Sequence, residues 1–246
     1  MLPTLDVLIS TCNDRNCQVP NMNLQRRAGV RFVVIGLSRS RNLALAESNA
    51  DLCLPADEDT VFFDGAFENI QEAFDNQADA GVIAFKMLDA DGNPTRPYPE
   101  PQSIVRMQTR RDIVQFWSSE IAFRRQAVAT RNIAFNEQIG VGTGLPIGEE
   151  SPFLANGQEQ GLTIYYSNTP ILTFPLEHSG LINTPHLWFT SGVVWLRLHG
   201  SRVVPDSVAR SAIFHRSRSR GARNVLSFLA GNLYYCVRGR SRLRAK

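Results

Sequence analysis

The chain has 246 residues, 43% of them hydrophobic, and a formal net charge of +3, which suits one large globular α/β domain or one domain with an appendage. No apolar run approaches the roughly twenty residues that cross a bilayer. Met1–Ser10 lacks the basic start and long apolar core of a signal peptide, so a cytoplasmic protein is expected.

Leu5–Ser10 is rich in Val, Leu and Ile and reads as a buried first strand. Polar Thr11–Asn16 ends it. Val30–Ile35 reads as a second strand, broken by Gly36, after which Ser38 can cap a helix over Arg39–Ser48. Asp51–Ala56 is a short strand that delivers Asp57-Glu58-Asp59 to its carboxyl end. Gly65–Gln77 has Phe67, Ile70, Ala73 and Phe74 at helical spacing. Gly81–Leu88 is a strand, and Asp89–Pro94 has turn chemistry. Ile121–Phe123 continues the sheet, with a helix expected over Arg124–Arg131. Asn136–Gly148 holds four glycines and reads as a flexible, functional loop. A helix over Glu149–Gln160 stops at Gly161. Leu162–Tyr166 and Pro170–Phe174 are β-rich. Beyond Gly180 come an aromatic helical segment around Trp188–Trp195 and an apolar helix over Asn224–Val237.

Strands alternating with helices predict an α/β sheet with helices on both faces. The division expected is a domain over 1–180 and a helical, Arg-rich extension over 181–246. Residues 207–246 carry ten basic groups and no acid, leaving 16 of the 26 basic groups against all 23 acids elsewhere, a net of −7. An acidic body with a basic end fits a polyanionic partner, either nucleic acid or an anionic membrane. No nucleic-acid module accompanies the basic run, and its apolar residues favour the membrane surface. The four cysteines, Cys12, Cys17, Cys53 and Cys236, match no Cys-x-x-Cys pattern and read as reduced core thiols.

Ligands of open α/β sheets bind at the carboxyl ends of strands. Ser10, Thr11, Asp57 and Asp59 all fall there. Asp57 and Asp59 stand two apart in an extended segment and can reach one divalent cation, Mn²⁺ or Mg²⁺, or one ribose. Such a cation would neutralise a departing diphosphate; an exposed acidic turn is the plainer alternative. Glu149 and Glu150 open a helix, where the macrodipole favours carboxylates, and a carboxylate there can also act as a general base. Arg39 and Arg41 flank a helix start suited to phosphate, although solvated helix charge would look the same.

Taken in order, Ser10-Thr11-Cys12-Asn13, Gly36–Asn42, Ala56–Asp59 and Gly148–Glu150 resemble the family 2 glycosyltransferases, most of all their bacterial surface-polysaccharide members. Ser119–Arg124 and Gly161–Tyr166 extend the likeness over roughly residues 5–180. The resemblance implies a GT-A mixed sheet flanked by helices. It also implies metal-dependent, inverting transfer of a sugar from a nucleoside diphosphate sugar to a glycan or lipid-linked saccharide, hexosyl transfer being typical. Ser10 and Thr11 would border the base and Arg41 contact the nucleotide. Asp57 would contact ribose or metal, and Asp59 the metal. Glu150 would be the base, with Glu149 beside it. Two departures stand out. The family's strand ending in an acid is not visible in Asn13–Ala28, where Asp14 is the available substitute. Phe174 stands where relatives carry a metal-shell His, leaving His178, with Glu177, as metal or acceptor candidates. These departures motivate an alternative, a catalytically degraded relative that binds nucleotide or a partner protein.

Overall fold

The structure, a computed structural model, describes residues 3–10, 30–34, 37–57, 60–100, 104–113, 115–173, 184–199 and 222–239. It is a mixed α/β fold. In chain order come β1 (Leu5–Ser10), β2 (Val30–Val34), α1 (Leu37–Glu47), β3 (Leu52–Asp57), β4 (Val61–Phe62), α2 (Ala66–Asn76) and β5 (Ala80–Leu88). Then follow β6 (Val105–Arg106), α3 (Arg110–Ile113), β7 (Ile121–Arg124), α4 (Arg125–Ala129), α5 (Glu150–Glu159), β8 (Thr163–Thr173), α6 (Pro185–His199) and α7 (Ala222–Tyr234).

One sheet runs in the order β2-β1-β3-β7-β5-β8-β4, with β6 also on β8. β1 pairs parallel with β2 and with β3, whereas β7 is antiparallel to both β3 and β5. Pro55 sits inside central β3, a position that normally rejects proline. The Leu52 N–H donates to Thr4 O on the β1 side. By the two-residue alternation Pro55 faces the other edge, where the ladder to β7 has already ended at Cys53. No ladder bond is lost there.

The same alternation sorts the core. Leu5, Val7, Ile9, Leu52, Leu54, Ile83 and Phe85 face α2, whose Phe67, Ile70 and Phe74 are buried against them. Leu8, Cys53, Val82 and Ala84 face the opposite side, with Phe153 and Leu154 of α5. A third cluster joins Ile139, Leu145 and Ala155 to Val193, Val194 and Leu198 of α6. The apolar residues of the predicted segments thus account for both layers, and the predicted boundaries shift by one or two residues there and by up to four in α6 and α7. Two expectations change. Leu162–Tyr166 and Pro170–Phe174 are not separate strands: β8 runs through Pro170, absorbing Ser167–Thr169 as an irregularity against β5. Cys236 is exposed rather than a core thiol, while Cys53 is a buried thiol whose Sγ lies 3.4 Å from Ser48 Oγ; Cys12 and Cys17 lie outside the described residues.

α6 and α7 pack as a tight pair. A Cβ on Gly231 would fall 2.0 Å from the carbonyl oxygen of Phe189, and one on Gly192 2.1 Å from that of Phe228. Only glycine permits this backbone approach. Among the described residues, no helix is long and apolar enough to cross a membrane.

Candidate functional site

β1 and β3 run parallel and end together, with Ser10 in register opposite Asp57. α1 and α5 both send side chains to this edge. Arg41 of α1 is 4% exposed. Its Nη2 donates to Asp57 Oδ1 at 2.9 Å and its Nη1 to Glu149 Oε1. The guanidinium lies over the Phe135 ring, 5.6 Å from the centroid. Its Nε is buried without a hydrogen-bond partner among the described residues. Burial by itself would lower the Arg41 pKa, but Asp57, Glu149 and Glu150 together hold it above its usual value.

The rest of the same α1 motif grips the loop leading to Glu149. The Ser38 hydroxyl donates to Ile139 O at 2.9 Å, so it holds the loop rather than capping its own helix. Asn42 donates through Nδ2 to Phe135 O at 2.9 Å and accepts from the Phe135 N–H at 2.8 Å. Residues 38, 41 and 42 share one helix face by their spacing. Arg39 points away and is exposed.

The Gly-rich loop, expected to be flexible, is anchored at Ile139–Gly140 and Leu145, while Val141, Gly142 and Gly144 between them are exposed. Ile139 is fully buried, and a Cβ on Gly140 would fall 2.2 Å from Ser38 Oγ. Gly140, Gly142 and Gly148 have φ of 120°, 86° and 86°, so these glycines shape the chain into positive-φ turns. Gly148 lies against α6, where its Cβ would sit 3.5 Å from Val194. The next residues are Glu149, buried and tied to Arg41, and Glu150, half-buried at the start of α5. Burial, then the charge of Glu149 alongside, pushes the Glu150 carboxyl up to about 8. Asp57 adds to that rise, while the backbone N–H of Glu150 and the charge of Arg41 oppose it.

Asp57 is the partly exposed member of the group, its side chain 39% accessible. Its N–H donates to Thr60 Oγ1 at 3.1 Å, and the Thr60 N–H returns a bond to Asp57 O at 3.1 Å. Three of the sequence-predicted residues, Arg41, Asp57 and Glu149, are therefore in one ion-paired group, with Glu150 next to it. Ser10 is at the same edge through its backbone. Thr11, Asp59, Glu177 and His178 lie outside the described residues. Among the described residues no three potential ligands cluster as a metal centre.

A second buried ion pair was not read from the sequence. Glu120, fully buried before β7, accepts from Tyr98 Oη at 2.5 Å, from the Trp117 N–H at 2.6 Å and from Arg96. The Arg96 guanidinium lies 5.0 Å from the Tyr98 centroid and 4.9 Å from that of Trp117. Burial lowers the Arg96 pKa, with Tyr98 and then Glu150 acting in the opposite sense. The available signal was a charged residue, Glu120, directly before the apolar run Ile121–Phe123. A surface groove lined by Asp51, Arg124, Arg125 and Thr130 lies at the amino end of β3, away from Asp57, Glu149 and Glu150.

No protein-family model and no curated protein matches the sequence. Solved structures do. S. aureus TarS 1–349 matches with a TM-score of 0.55 and 12% identity, over 99% of this chain and 75% of that one. Its complex with UDP-GlcNAc gives 0.55 and 12% over 99% and 76%. Its complex with UDP gives 0.52 and 14% over 99% and 75%. TarS is a GT-A-type glycosyltransferase, and at these identities the likeness establishes the fold.

Proposed function

We propose that the chain is a metal-dependent, inverting glycosyltransferase of family 2 that uses a nucleoside diphosphate sugar. Its acceptor is a glycan or lipid-linked saccharide in surface polysaccharide synthesis, met on the cytoplasmic side of a membrane. The observation that carries this reading is the junction of Asp57, Arg41 and Glu149 beside Glu150, at the strand edge where open α/β sheets bind ligands. The UDP and UDP-GlcNAc complexes of TarS support the donor class.

Glu150 serves as the base. One carboxylate oxygen takes the proton of an acceptor hydroxyl. The oxygen of the acceptor hydroxyl then bonds to the anomeric carbon as the bond from this carbon to the diphosphate breaks, and the diphosphate departs with the electron pair. A single displacement inverts the anomeric configuration. A base at about 8 is partly ionised near neutrality and strong when ionised, as general-base catalysis requires. Arg41 positions: it fixes the end of β3 against the loop that carries Glu149 and Glu150.

Asp57, a half-exposed hard-oxygen donor at a strand end, fits Mn²⁺ or Mg²⁺, with Asp59 two residues on as its companion. Remaining ligands would be donor phosphates and water. When bound, the cation would neutralise charge developing on the diphosphate. Thr11, Ser10, Glu177 and His178 keep the donor and acceptor roles that the resemblance implies.

The test is a mass-spectrometric screen of nucleotide sugars with Mn²⁺, UDP-GlcNAc among them, scoring nucleotide release by wild type and by Glu150→Gln. Wild type should release nucleotide, and the variant should be about 10²–10⁴-fold slower with donor affinity preserved. Nucleotide binding by calorimetry with no release from any donor would replace this reading with the non-catalytic relative.

A further inference from the structure

Among the described residues, the outward face of α7 has no partner. Leu226, Leu233 and Val237 are 66%, 65% and 72% exposed, and Ala230 between them is exposed as well. Leu226, Ala230 and Leu233 follow one another by four and three residues, which places them on one stripe of α7, and Val237 stands in the π-helical turn Tyr235–Gly239 that continues it. The opposite face is spent: Phe228 and Gly231 are buried, Gly231 against the backbone of α6. Tyr234 borders the stripe at 36% exposure, an amphipathic ring of the kind that sits at a membrane interface.

We propose that this stripe docks the protein onto an anionic lipid bilayer, lying in the headgroup region without crossing it. Two observations select this occupant over a second copy of the chain. The first is charge. Residues 207–246 hold ten basic groups and no acid, a charge that opposes association of two copies through this part of the chain and that an anionic bilayer attracts. Each basic residue near such a surface strengthens binding by about fivefold. The second is area. Specific protein interfaces bury about 1,200–2,000 Å², and four side chains on α7 and the turn that continues it supply a fraction of that. An amphipathic helix beside a basic segment needs no more than this to rest on lipid.

The proposal deepens the acceptor side of the function proposed above and rests on that reading only for what the acceptor is. α7 packs on α6, and α6 carries Val194 against Gly148, the residue before Glu149. Two helix packings of about 8–10 Å each separate the docked face from the base. Glu150 thus stands within roughly 25 Å of the lipid surface, close enough for a saccharide whose far end is anchored there.

The test uses the full 246-residue chain, in co-sedimentation with vesicles of phosphatidylcholine and phosphatidylglycerol and, as control, phosphatidylcholine alone. Wild type should pellet with the anionic vesicles at low salt, remain soluble with the neutral ones, and be released as salt is raised. Leu226→Ser, Leu233→Ser and Val237→Ser combined should lower partitioning at least tenfold. Replacing Arg240, Arg242 and Arg244 by Ala should lower it about a hundredfold at low salt. Circular dichroism checks that each variant is folded, and the single Ser substitutions replace the triple one if it is not. No pelleting with anionic vesicles, or equal pelleting of the Ser variant, overturns the proposal. Light scattering that finds a dimer which the Ser substitutions dissociate also overturns it, in favour of self-association. Vesicle binding is read without turnover, so it can fail while the transferase stands, and the reverse.

Discussion

Glu150→Gln should make the metal-free protein more stable, increasingly so as the pH rises. The Glu150 carboxyl is raised from 4.5 to about 8 in the folded chain, first by burial and then by Glu149. A raised carboxyl costs stability when ionised. Below the unfolded pKa both states are protonated and nothing is lost; between about 4.5 and 8 the unfolded chain has released a proton that the folded one keeps, so stability falls with pH across that window. Above it the loss is complete. At about 1.4 kcal/mol per unit, the upper bound is roughly 5 kcal/mol. The site opens to water at Asp57, and relaxation there should bring the effect down to about 1–2 kcal/mol. Glutamine mimics the protonated form at every pH and escapes the loss. For a chain of this size each kcal/mol moves Tm by about 2–4 °C, so the variant should melt about 3–6 °C above wild type at pH 9 and level with it at pH 4.5. Differential scanning calorimetry in chelator, with no donor present, at pH 4.5, 7 and 9 makes the measurement. A Tm difference that does not change with pH, or a wild type more stable at pH 9, would refute the assignment of Glu150 as a half-buried, charge-crowded base.

Glu149→Ala should act in the opposite direction, since it strips Arg41 of a buried partner; a loss of about 3 kcal/mol is expected by denaturant titration, and an unchanged midpoint would count against the bridge. Asn42→Ala removes both bonds to the Phe135 backbone and should cost about 1–3 kcal/mol, with faster hydrogen exchange across residues 135–148. Gly231→Ala puts a Cβ 2.0 Å from the Phe189 carbonyl and should cost about 3 kcal/mol; because α6 supports Gly148, exchange in the loop should quicken too, and a thermal midpoint like wild type would show the hairpin to be looser than described. Asp59→Ala should abolish Mn²⁺-dependent nucleotide release with circular dichroism unchanged, and unaffected turnover would remove the metal role.

The layers of the fold were legible because they rest on simple periodicities. Leu5–Ser10 and Asp51–Ala56 are apolar runs bounded by polar residues, and buried parallel strands read that way. Phe67, Ile70 and Phe74 announce α2 by helical spacing. What escaped was set by partners far along the chain. β6 is two residues long and exists through its pairing with Tyr165 and Tyr166. Leu162–Tyr166 and Pro170–Phe174 looked like two segments because a local reading cannot see that Ser167–Thr169 continue β8 as an irregular stretch against β5. The α6–α7 crossing depends on Gly192 and Gly231, each unremarkable in its own segment and meaningful only once the two helices touch.

The α1 motif shows where a local reading of the site falls short. A helix start with two arginines suggests phosphate binding, and Arg39 and Arg41 look equivalent for that purpose. Their environments are opposite: Arg39 is exposed, while Arg41 is buried and committed to Asp57 and Glu149. The spacing held a clue. Ser38, Arg41 and Asn42 fall at i, i+3 and i+4, one face of a helix, whereas Arg39 falls off it. Polar residues sharing a face must all meet a polar partner there or all meet water. Here they meet the segment from Phe135 to Glu149. An arginine with two carboxylate partners and an unpaired Nε is costly to bury unless its neighbours hold it firmly. The same face supplies the two neighbours that do so, one hydroxyl and one amide, each fixed to backbone. The motif therefore works first as a staple between the strand edge that ends in Asp57 and the loop that presents Glu150, and the chemistry proposed for Glu150 depends on that staple being closed.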